Sequence, residues 1–339
     1  MIMASDQIYQ KDGHFTRPAS TFRDCISNGP GSKYPPEADR YVLYISPGCP
    51  WAHRTLIVRL LKGLDSMIGV IQVSTGTEGW CFDGKRGTSA EDPLHAGFTK
   101  LKQLYEHADP NYIGRYTVPV LWDTKTDTLV NNESSEIIRM FYTEFDDLLP
   151  EALKESTQER DGGGLFPQRL RTSIEDMNEW VYATVNNGVY KTGFATSQEA
   201  YDTNIYPLFD SLDRLEAILA QHGEPYLFGE HLTEADIRLY TTLIRFDVAY
   251  HSVMMCNRKS IRHDYPKLYL WLRRLYWDRD ENGAARGAFY HTTEPFFKLY
   301  GPGYAVARRR VVFQDKVPLI IPAGPAVLID PLPKTSSAL

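Results

Sequence analysis

Cys49 lies in the part of this sequence that most favours nucleophilic chemistry. It follows the turn Ser46-Pro47-Gly48 and precedes Pro50, after which apolar residues recur with helical spacing from Trp51 to Leu61. Proline is favoured in the first turn of a helix, because the N–H that it lacks would have no partner there. The sequence therefore places Cys49 at a helix N-terminus, where unpaired N–H groups stabilise the thiolate, the nucleophilic form of cysteine.

The sequence leaves open whether Cys49 is reactive or buried, and whether His53 faces the sulfur or the solvent. A free cysteine is commonly buried as a small apolar residue, although the Pro-Gly-Cys-Pro sequence favours a reactive Cys49. On the next turn, His53 and Arg54 either add positive charge near the sulfur or, in the case of His53, face outward. Residue 52 is alanine, so there is no Cys-x-x-Cys pair, and a disulfide to Cys49 must form with a small thiol or with another chain.

The elements around Cys49 predict a thioredoxin-like α/β domain. Strands are expected at residues 41–45, 67–73, 118–123 and 128–131, with an insertion at residues 74–116 that contains a helix near residues 97–107. The first helix joins the first two strands, and a strand, crossover and strand of this kind form a parallel pair. The order of these elements matches a thioredoxin-like domain.

Pro119 and Ser134 mark two points where this domain could meet a ligand. A proline inside a strand removes a ladder donor, so Pro119 belongs at an edge, a strand start or a bulge. The Val118–Pro119 bond is accessible in cis, which would turn the Val118 backbone outward, although a trans edge proline is the commoner case. Ser134 is the predicted N-cap of the helix that opens within residues 132–136, and free N–H groups there suit a carboxylate.

The remainder of the chain is predicted to be mostly helical. Helices are expected at residues 174–186, at residues 197–221, from Thr233 towards Tyr250 and after Pro266, and the signals weaken beyond Gly283. The predicted segments are an N-terminal arm (1–40), the thioredoxin-like domain (41–147), a linker (148–167), an all-helical domain (168–316) and a proline-rich tail (317–339). Thr233 and Asp236 form a capping-box pattern at the start of one helix.

Composition argues against several classes of function. The net charge of −6 and the isoelectric point near 5.9 argue against general nucleic-acid binding, which requires clustered Lys and Arg. The cysteines at positions 25, 49, 81 and 256 lack the spacing of a metal site or a disulfide framework, and no metal is predicted. No signal peptide or transmembrane run is recognisable, so the chain is expected to be cytoplasmic and not bound to a membrane.

Five segments resemble the glutathionyl-hydroquinone reductases, which are the xi class of the cysteine-using glutathione transferases. They are Cys49–Thr55 (CPWAHRT), Val118–Asp123 (VPVLWD), Asn132–Met140 (NESSEIIRM), Gly188–Ala195 (GVYKTGFA) and Leu232–Arg238 (LTEADIR). The resemblance extends over roughly residues 20–300. It implies the glutathione transferase fold, glutathione as co-substrate, a homodimer and a role in quinone detoxification.

The resemblance further implies a glutathione site in the first domain, with Cys49 as the catalytic thiolate. Six other residues would contact the tripeptide: Trp80 by packing over it, Arg115 by pairing with a carboxylate, Val118 through its backbone ahead of a cis Pro119, and Glu133 with Ser134 at the γ-glutamyl end. Glutathione carries an ammonium group and two carboxylates, so an acidic residue, a cationic partner and helix N-terminal donors suit it.

The phenolic substrate is expected between the domains, against Tyr190, Tyr250 and Tyr300; the segment Phe296–Leu299 departs from the family pattern beside Tyr300. In the implied reaction, Cys49 attacks the sulfur of a glutathionyl-hydroquinone, hydroquinone leaves, and a second glutathione releases oxidised glutathione from the mixed disulfide. The alternatives are an omega-like thiol transferase or dehydroascorbate reductase and a non-catalytic binding module. Conjugation of glutathione to electrophiles is disfavoured, because a cysteine thiolate competes as the nucleophile.

Overall fold

The computed structural model describes residues 10–76, 79–85, 87–155, 163–222, 225–281, 283 and 285–333. It divides into two units, of which the first includes Arg17–Pro167 and the second includes Gln168–Leu339 with a short N-terminal segment that ends at Thr16. The predicted N-terminal arm is therefore shared between the units. Parts of the predicted arm, linker and tail, at residues 1–9, 156–162 and 334–339, lie outside the described residues.

The elements are named here in chain order. The strands are β1 (Gln10–Lys11), β2 (His14–Phe15), β3 (Tyr41–Ile45), β4 (Ile68–Gln72), β5 (Ser74–Gly76), β6 (Gly79–Cys81), β7 (Val120–Asp123) and β8 (Thr128–Asn131). The α-helices are α1 (Pro50–Leu61), α2 (Leu101–Ala108), α3 (Ser134–Thr143), α4 (Arg171–Val181), α5 (Gly188–Gly193), α6 (Gln198–His222), α7 (Glu234–Leu243), α8 (Ile261–Asp264), α9 (Pro266–Trp277), α10 (Ala288–Thr293) and α11 (Tyr300–Phe313).

The first unit is built on a four-stranded sheet in the order β4-β3-β7-β8. β3 and β4 are parallel, whereas β7 pairs antiparallel with both β3 and β8. The predicted parallel pair, which α1 joins as a crossover, is therefore confirmed. Tyr41, Leu43, Tyr44 and Ile45 of β3 are all buried, so both faces of this central strand are covered.

Pro119 lies just before the ladder of the sheet. β7 begins at Val120, two residues later than predicted, and the Val118–Pro119 bond that precedes it is cis. A proline at this position removes no strand-to-strand hydrogen bond. Of the three predicted locations, the strand start is the one observed. The cis form that the resemblance implies is confirmed, and the trans edge proline, which is the commoner case, is wrong here.

The described part of the insertion contains a pair of short strands and the helix α2. β5 and β6 pair antiparallel, and the N–H of Phe82 donates to the carbonyl of Thr99 over 2.9 Å. The helix α2 begins at Leu101 and not near Gly97, because Gly97 has a φ of +85° and Lys100 is an extended N-cap. The strand pair and the hydrogen bond together hold α2 beside the sheet.

Part of the N-terminal arm runs along the outer edge of β8. Arg23 forms an antiparallel bridge with Asn131, and the N–H of Asn132 donates to the carbonyl of Phe22 over 3.1 Å. The Asn131 side chain donates to the carbonyl of Asp24 over 3.0 Å. The arm thus satisfies backbone groups that an uncovered edge strand would leave open.

In the described part of the second unit, most residues up to Phe313 are helical, and the unit also contains β1 and β2. The predicted capping box at the start of α7 is confirmed: Asp236 accepts hydrogen bonds from the N–H and the hydroxyl of Thr233, over 3.0 and 2.9 Å. Asp236 is fully buried and also accepts from Trp271 Nε1 over 2.9 Å, which ties α7 to α9. Asp236 therefore stabilises the start of α7 and also links α7 to α9.

Three features of this unit differ from the prediction. α4 ends at Val181 and continues as a π-helical turn, Tyr182–Asn186, and a second π-turn, Phe246–Tyr250, follows α7. α10 and α11 lie beyond Gly283, where the sequence signals weaken. α11 was missed because Gly301 and Gly303 in its first turn are poor helix formers.

Within the described ranges, none of the helices combines the length and the apolar character needed to cross a bilayer.

Candidate active site

Cys49 is the N-cap residue of α1. Its backbone is extended, with φ −81° and ψ 117°, and Pro50 occupies the start of the helix. The side chain is partly exposed, so the alternative that Cys49 is a buried apolar residue is wrong. The predicted location at a helix N-terminus is confirmed, and the positive end of the helix dipole favours a thiolate there.

The sulfur of Cys49 lies against the backbone that precedes β7. Cys49 Sγ donates to the carbonyl oxygen of Val118 over 3.4 Å. The two residues meet because α1 follows β3, and β7 pairs with β3. A thiolate has no proton to donate, so ionisation of Cys49 leaves the Val118 carbonyl available to an N–H of a bound peptide.

Tyr105 links two backbone segments that the resemblance assigns to glutathione. Its buried hydroxyl donates to the carbonyl of Thr117 over 2.8 Å and accepts from the side-chain amide of Asn132 over 3.1 Å. Thr117 precedes Val118, and Asn132 precedes Glu133. Tyr105 of α2 therefore positions both segments from one atom.

Glu133, and not Ser134, is the N-cap of α3. The Glu133 carboxylate accepts from the N–H of Ser135 over 3.1 Å and from its hydroxyl over 2.8 Å. The N–H of Glu133 in turn donates to the side chain of Asn131 over 2.7 Å, which keeps Glu133 outside the helix. The predicted N-cap is thus wrong by one position. Ser134 is the buried first residue of α3, at the positive end of the helix dipole.

Ser20 brings the N-terminal arm to the same carboxylate. Its hydroxyl lies 3.1 Å from Glu133 Oε2 and 3.2 Å from the carbonyl of Asn132. The two oxygens of Glu133 therefore have different partners, Ser135 at one and Ser20 at the other. A carboxylate offers about four acceptor positions, so this arrangement still has capacity for an ammonium group.

Trp80 and Arg115 both lie in the insertion and are both partly exposed. Trp80 is on β6, opposite Thr75 of β5, and Arg115 is three residues before Val118. Partial exposure leaves each side chain accessible to a ligand. The contacts with glutathione that the resemblance implies for them stay predictions.

His53 and Arg54 are buried in α1. His53 is 2% exposed, so the alternative that it faces outward is wrong. The Arg54 guanidinium lies 4.4 Å from the centre of the Trp51 ring, and Arg17 of the N-terminal arm lies 4.8 Å from it. Two cations therefore pack against one indole in the first turn of the helix that Cys49 caps.

The second unit contains a cluster of three tyrosine hydroxyls. Tyr304 Oη lies 2.7 Å from Tyr190 Oη and 2.7 Å from Tyr250 Oη. Tyr190 is on α5, Tyr250 ends the second π-turn, and Tyr304 is on α11, so residues 54 and 114 positions apart converge. π-turns are frequent at functional sites, and one of them precedes α5 while the other contains Tyr250.

Tyr300, the third tyrosine chosen from the sequence, has a different environment. Its ring lies 3.9 Å from the guanidinium of Arg245, and its buried hydroxyl makes no hydrogen bond within the described part of the chain. Tyr304 lies four residues further along α11, on the same face of the helix. The structure therefore joins Tyr190 and Tyr250 to Tyr304 in place of Tyr300.

Burial controls the ionisation of this tyrosine cluster. It raises the pKa values of Tyr250 and Tyr304 well above 10.0, and the nearby charge of Arg245 opposes this shift. Arg245 is itself buried and donates to the carbonyl of Thr241 over 2.7 Å. At physiological pH Tyr250 and Tyr304 are therefore neutral and able to donate hydrogen bonds or protons.

Two family models match separate parts of the chain. Residues 48–144 match the model of the glutathione S-transferase N-terminal domain, and residues 198–274 match that of its C-terminal domain. A thioredoxin-like unit with cysteine at its first helix, followed by a helical unit, is the architecture of a glutathione transferase. The predicted fold class is confirmed.

Two curated relatives cover most of the chain. Glutathione S-transferase omega-like 2 of Schizosaccharomyces pombe is 51% identical over 287 residues, which are 84% of this chain and 86% of the relative. The glutathionyl-hydroquinone reductase YqjG of Escherichia coli is 50% identical over 272 residues, which are 78% and 79% of the two chains.

Solved structures give the class within the family. The xi glutathione transferase of Phanerochaete chrysosporium superimposes with a TM-score of 0.85 at 45% identity, over 96% of this chain and 97% of the other. The xi glutathione transferase ECM4 of Saccharomyces cerevisiae, in complex with glutathione, gives 0.81 at 39% identity, over 93% and 100%. The chain belongs to the glutathione transferase family, in its xi class, and the resemblance found in the sequence is confirmed.

Proposed function

We propose that this protein reduces S-glutathionyl-hydroquinones to hydroquinones at the expense of glutathione. The observation that carries the proposal is the convergence of Tyr190 and Tyr250 on Tyr304, since a group of three phenol hydroxyls is suited to a phenolic ring. A thiol transferase acting on mixed disulfides has no need of such a cluster. The relative from Escherichia coli, half identical to this chain, is named for the proposed activity.

The residues around Cys49 suit glutathione. The Glu133 carboxylate matches the ammonium group of the γ-glutamyl end, and the N-terminus of α3 at Ser134 matches its carboxylate. The Val118 carbonyl matches a peptide N–H of the tripeptide beside the sulfur. Trp80 and Arg115 supply packing and a cation in the proposal, and a relative solved with glutathione supports this ligand.

Cys49 carries out the first step as a thiolate. It attacks the sulfur of the glutathionyl group, the sulfur–ring bond breaks, and the ring carbon takes that electron pair and one proton. Hydroquinone leaves, and Cys49 remains in a disulfide with glutathione. The phenols of Tyr190, Tyr250 and Tyr304 orient the ring and supply the proton.

A second glutathione, as its thiolate, attacks the mixed disulfide. Oxidised glutathione is released and Cys49 returns as a thiolate. The two electrons gained by the ring have come from the two sulfur atoms of oxidised glutathione, one from the thioether of the substrate and one from the second glutathione. External thiol is required because residue 52 is alanine and supplies no second sulfur on the same turn. A cytoplasmic location and a homodimer stay predictions.

Glu133→Gln is expected to weaken glutathione binding by about 10- to 100-fold, because one hydrogen bond to a charged group is worth about 1.5–3 kcal/mol. Glutamine retains an oxygen that can cap α3. Calorimetric titration with glutathione measures the effect. Glu136→Gln is the matched control: it removes a carboxylate from the same helix, one that pairs with Arg23. Equal dissociation constants for the two variants would contradict the role of Glu133.

A thiol transferase is the second candidate, favoured by the omega-like name of the relative from Schizosaccharomyces pombe. Turnover of a glutathionyl-hydroquinone and of a glutathionylated small disulfide, compared at equal concentrations, separates the two functions. We expect the larger kcat/KM for the hydroquinone thioether. A preference for the disulfide would replace the proposal with the second candidate, and glutathione binding without turnover of either would indicate a binding module.

A further inference from the structure

His95, His107 and Asp127 form a cluster at the far end of β7 from Val118. Nε2 of His95 lies 2.8 Å from one carboxylate oxygen of Asp127, and Nε2 of His107 lies 2.8 Å from the other. These ligand atoms all lie within 4.8 Å of one another. The three residues come from the insertion loop, from α2 and from the turn between β7 and β8. The side chains of two histidines therefore face one carboxylate, and each of the three residues comes from a different segment.

A buried carboxylate fixes the ring of His95. Asp92 Oδ2 lies 2.7 Å from His95 Nδ1, and the Asp92 side chain is completely buried. The hydroxyl of Tyr44 donates to both oxygens of Asp92, over 3.0 and 2.9 Å, and the N–H of Leu94 donates over 3.0 Å. A carboxylate that accepts from Nδ1–H turns the Nε2 lone pair outward, as such carboxylates do for metal-bound histidines.

The cluster combines one rigid ligand with two that can adjust. The His95 side chain is 10% exposed and packs edge-on against Trp122, with ring centres 5.1 Å apart. The side chains of His107 and Asp127 are 39% and 52% exposed. Ligand atoms about 2.0–2.1 Å from a tetrahedral zinc ion are roughly 3.3 Å from one another. Rotations of the two exposed side chains would bring the ligand atoms, which lie within 4.8 Å of one another, towards this spacing.

We propose that His95 Nε2, His107 Nε2 and one oxygen of Asp127 bind a divalent transition-metal ion, with Zn²⁺ as the best match. Imidazole and carboxylate groups are common zinc ligands, and three of them leave a fourth position for water. Cysteine spacing predicted no metal in this chain, whereas His95, His107 and Asp127 are separated by 12 and 20 positions and become neighbours only in the fold.

The bound metal ion would have a structural role, because it would connect two segments of the first unit. Val118 lies two residues before the start of β7, whereas Asp127 lies four residues after its end. The cluster is therefore at the opposite end of the strand from the sulfur of Cys49. A bound ion would join the insertion to the β7–β8 turn. It would stabilise the first unit by mass action, while leaving thiol chemistry unchanged.

Zinc binding by the full-length chain tests this proposal. Because thiolates also bind zinc, the parent in the titration carries Cys49→Ser, and bound metal is first removed with a chelator. Calorimetry with Zn²⁺ should give one site with a dissociation constant in the micromolar range or tighter. Saturation should raise Tm by about 5 °C.

Variants separate this site from adventitious binding. His107→Gln and Asp127→Asn should each weaken zinc binding by at least tenfold, and Asp92→Asn by about 10- to 100-fold. His291→Gln, an exposed histidine near Glu281, is the matched control and should leave the affinity unchanged. With the native cysteine present, His107→Gln should retain reductase turnover, which keeps this test independent of the proposed function. Absence of zinc binding by the parent, or equal affinity in the His107 and His291 variants, would overturn the proposal.

Discussion

Cys49→Ala is expected to abolish reduction of glutathionyl-hydroquinones, with a loss of about a thousandfold or more in kcat. The thiolate is the attacking atom in the first step, and alanine has no group that can form the mixed disulfide. The rate of hydroquinone release, monitored by chromatography, measures this loss. Mass spectrometry after one equivalent of substrate should find a single glutathione adduct in the parent, on the peptide that contains Cys49, and none in the variant.

Two other cysteines provide controls for this prediction. Cys81→Ala is the closer match, because Cys81 is partly exposed like Cys49, and it should retain turnover. Cys256 is buried, and burial raises the pKa of its thiol, so this sulfur stays protonated and inert. Cys256→Ala should therefore retain turnover per folded molecule. Full turnover in Cys49→Ala, or an adduct on Cys81, would refute the assignment of the nucleophile.

Tyr304→Phe is expected to lower kcat/KM for a glutathionyl-hydroquinone by about 10²-fold, the usual scale of a positioned proton donor. The substitution removes the oxygen that both Tyr190 and Tyr250 contact, and leaves the ring in place. Reduction of a glutathionylated small disulfide should change little, because that reaction has no phenolic ring to orient or protonate. Parallel kinetics on the two substrates measure the difference.

Tyr300→Phe is the matched control on the same helix. The Tyr300 hydroxyl makes no hydrogen bond within the described residues, and phenylalanine retains the ring against Arg245. We therefore expect less than a twofold change on either substrate. Tyr304→Phe also leaves two buried hydroxyls short of a partner, at a cost of about 1–3 kcal/mol in the free energy of unfolding, so activity is compared per folded molecule. Equal losses in the two variants would remove the distinction between Tyr300 and Tyr304.

The tyrosine cluster and the cysteine differ in how their chemistry is tuned. Cys49 has a helix N-terminus and partial exposure, both of which favour its charged form. Tyr250 and Tyr304 are buried, which favours their neutral form. An anion for attack and a neutral acid for protonation are the two protonation states that the proposed reaction requires.

Local signals in the sequence determined the parts of this protein that depend on neighbours along the chain. The turn and proline before α1 placed Cys49 at a helix start, and Thr233 with Asp236 marked the start of α7. Strand periodicity and a short crossover predicted the parallel pair of β3 and β4. Such features follow from backbone preferences and unpaired N–H groups within a few residues, so they can be read without the fold.

Only the tertiary structure decided which distant side chains meet. Tyr300 and Tyr304 are on one face of one helix, and packing selects Tyr304 to contact Tyr190, 114 positions away. Ser20 reaches Glu133, and His95 and His107 reach Asp127, because the arm and the insertion are held against the sheet. These contacts form only after each unit has folded around its own core, and no short segment of sequence contains that information.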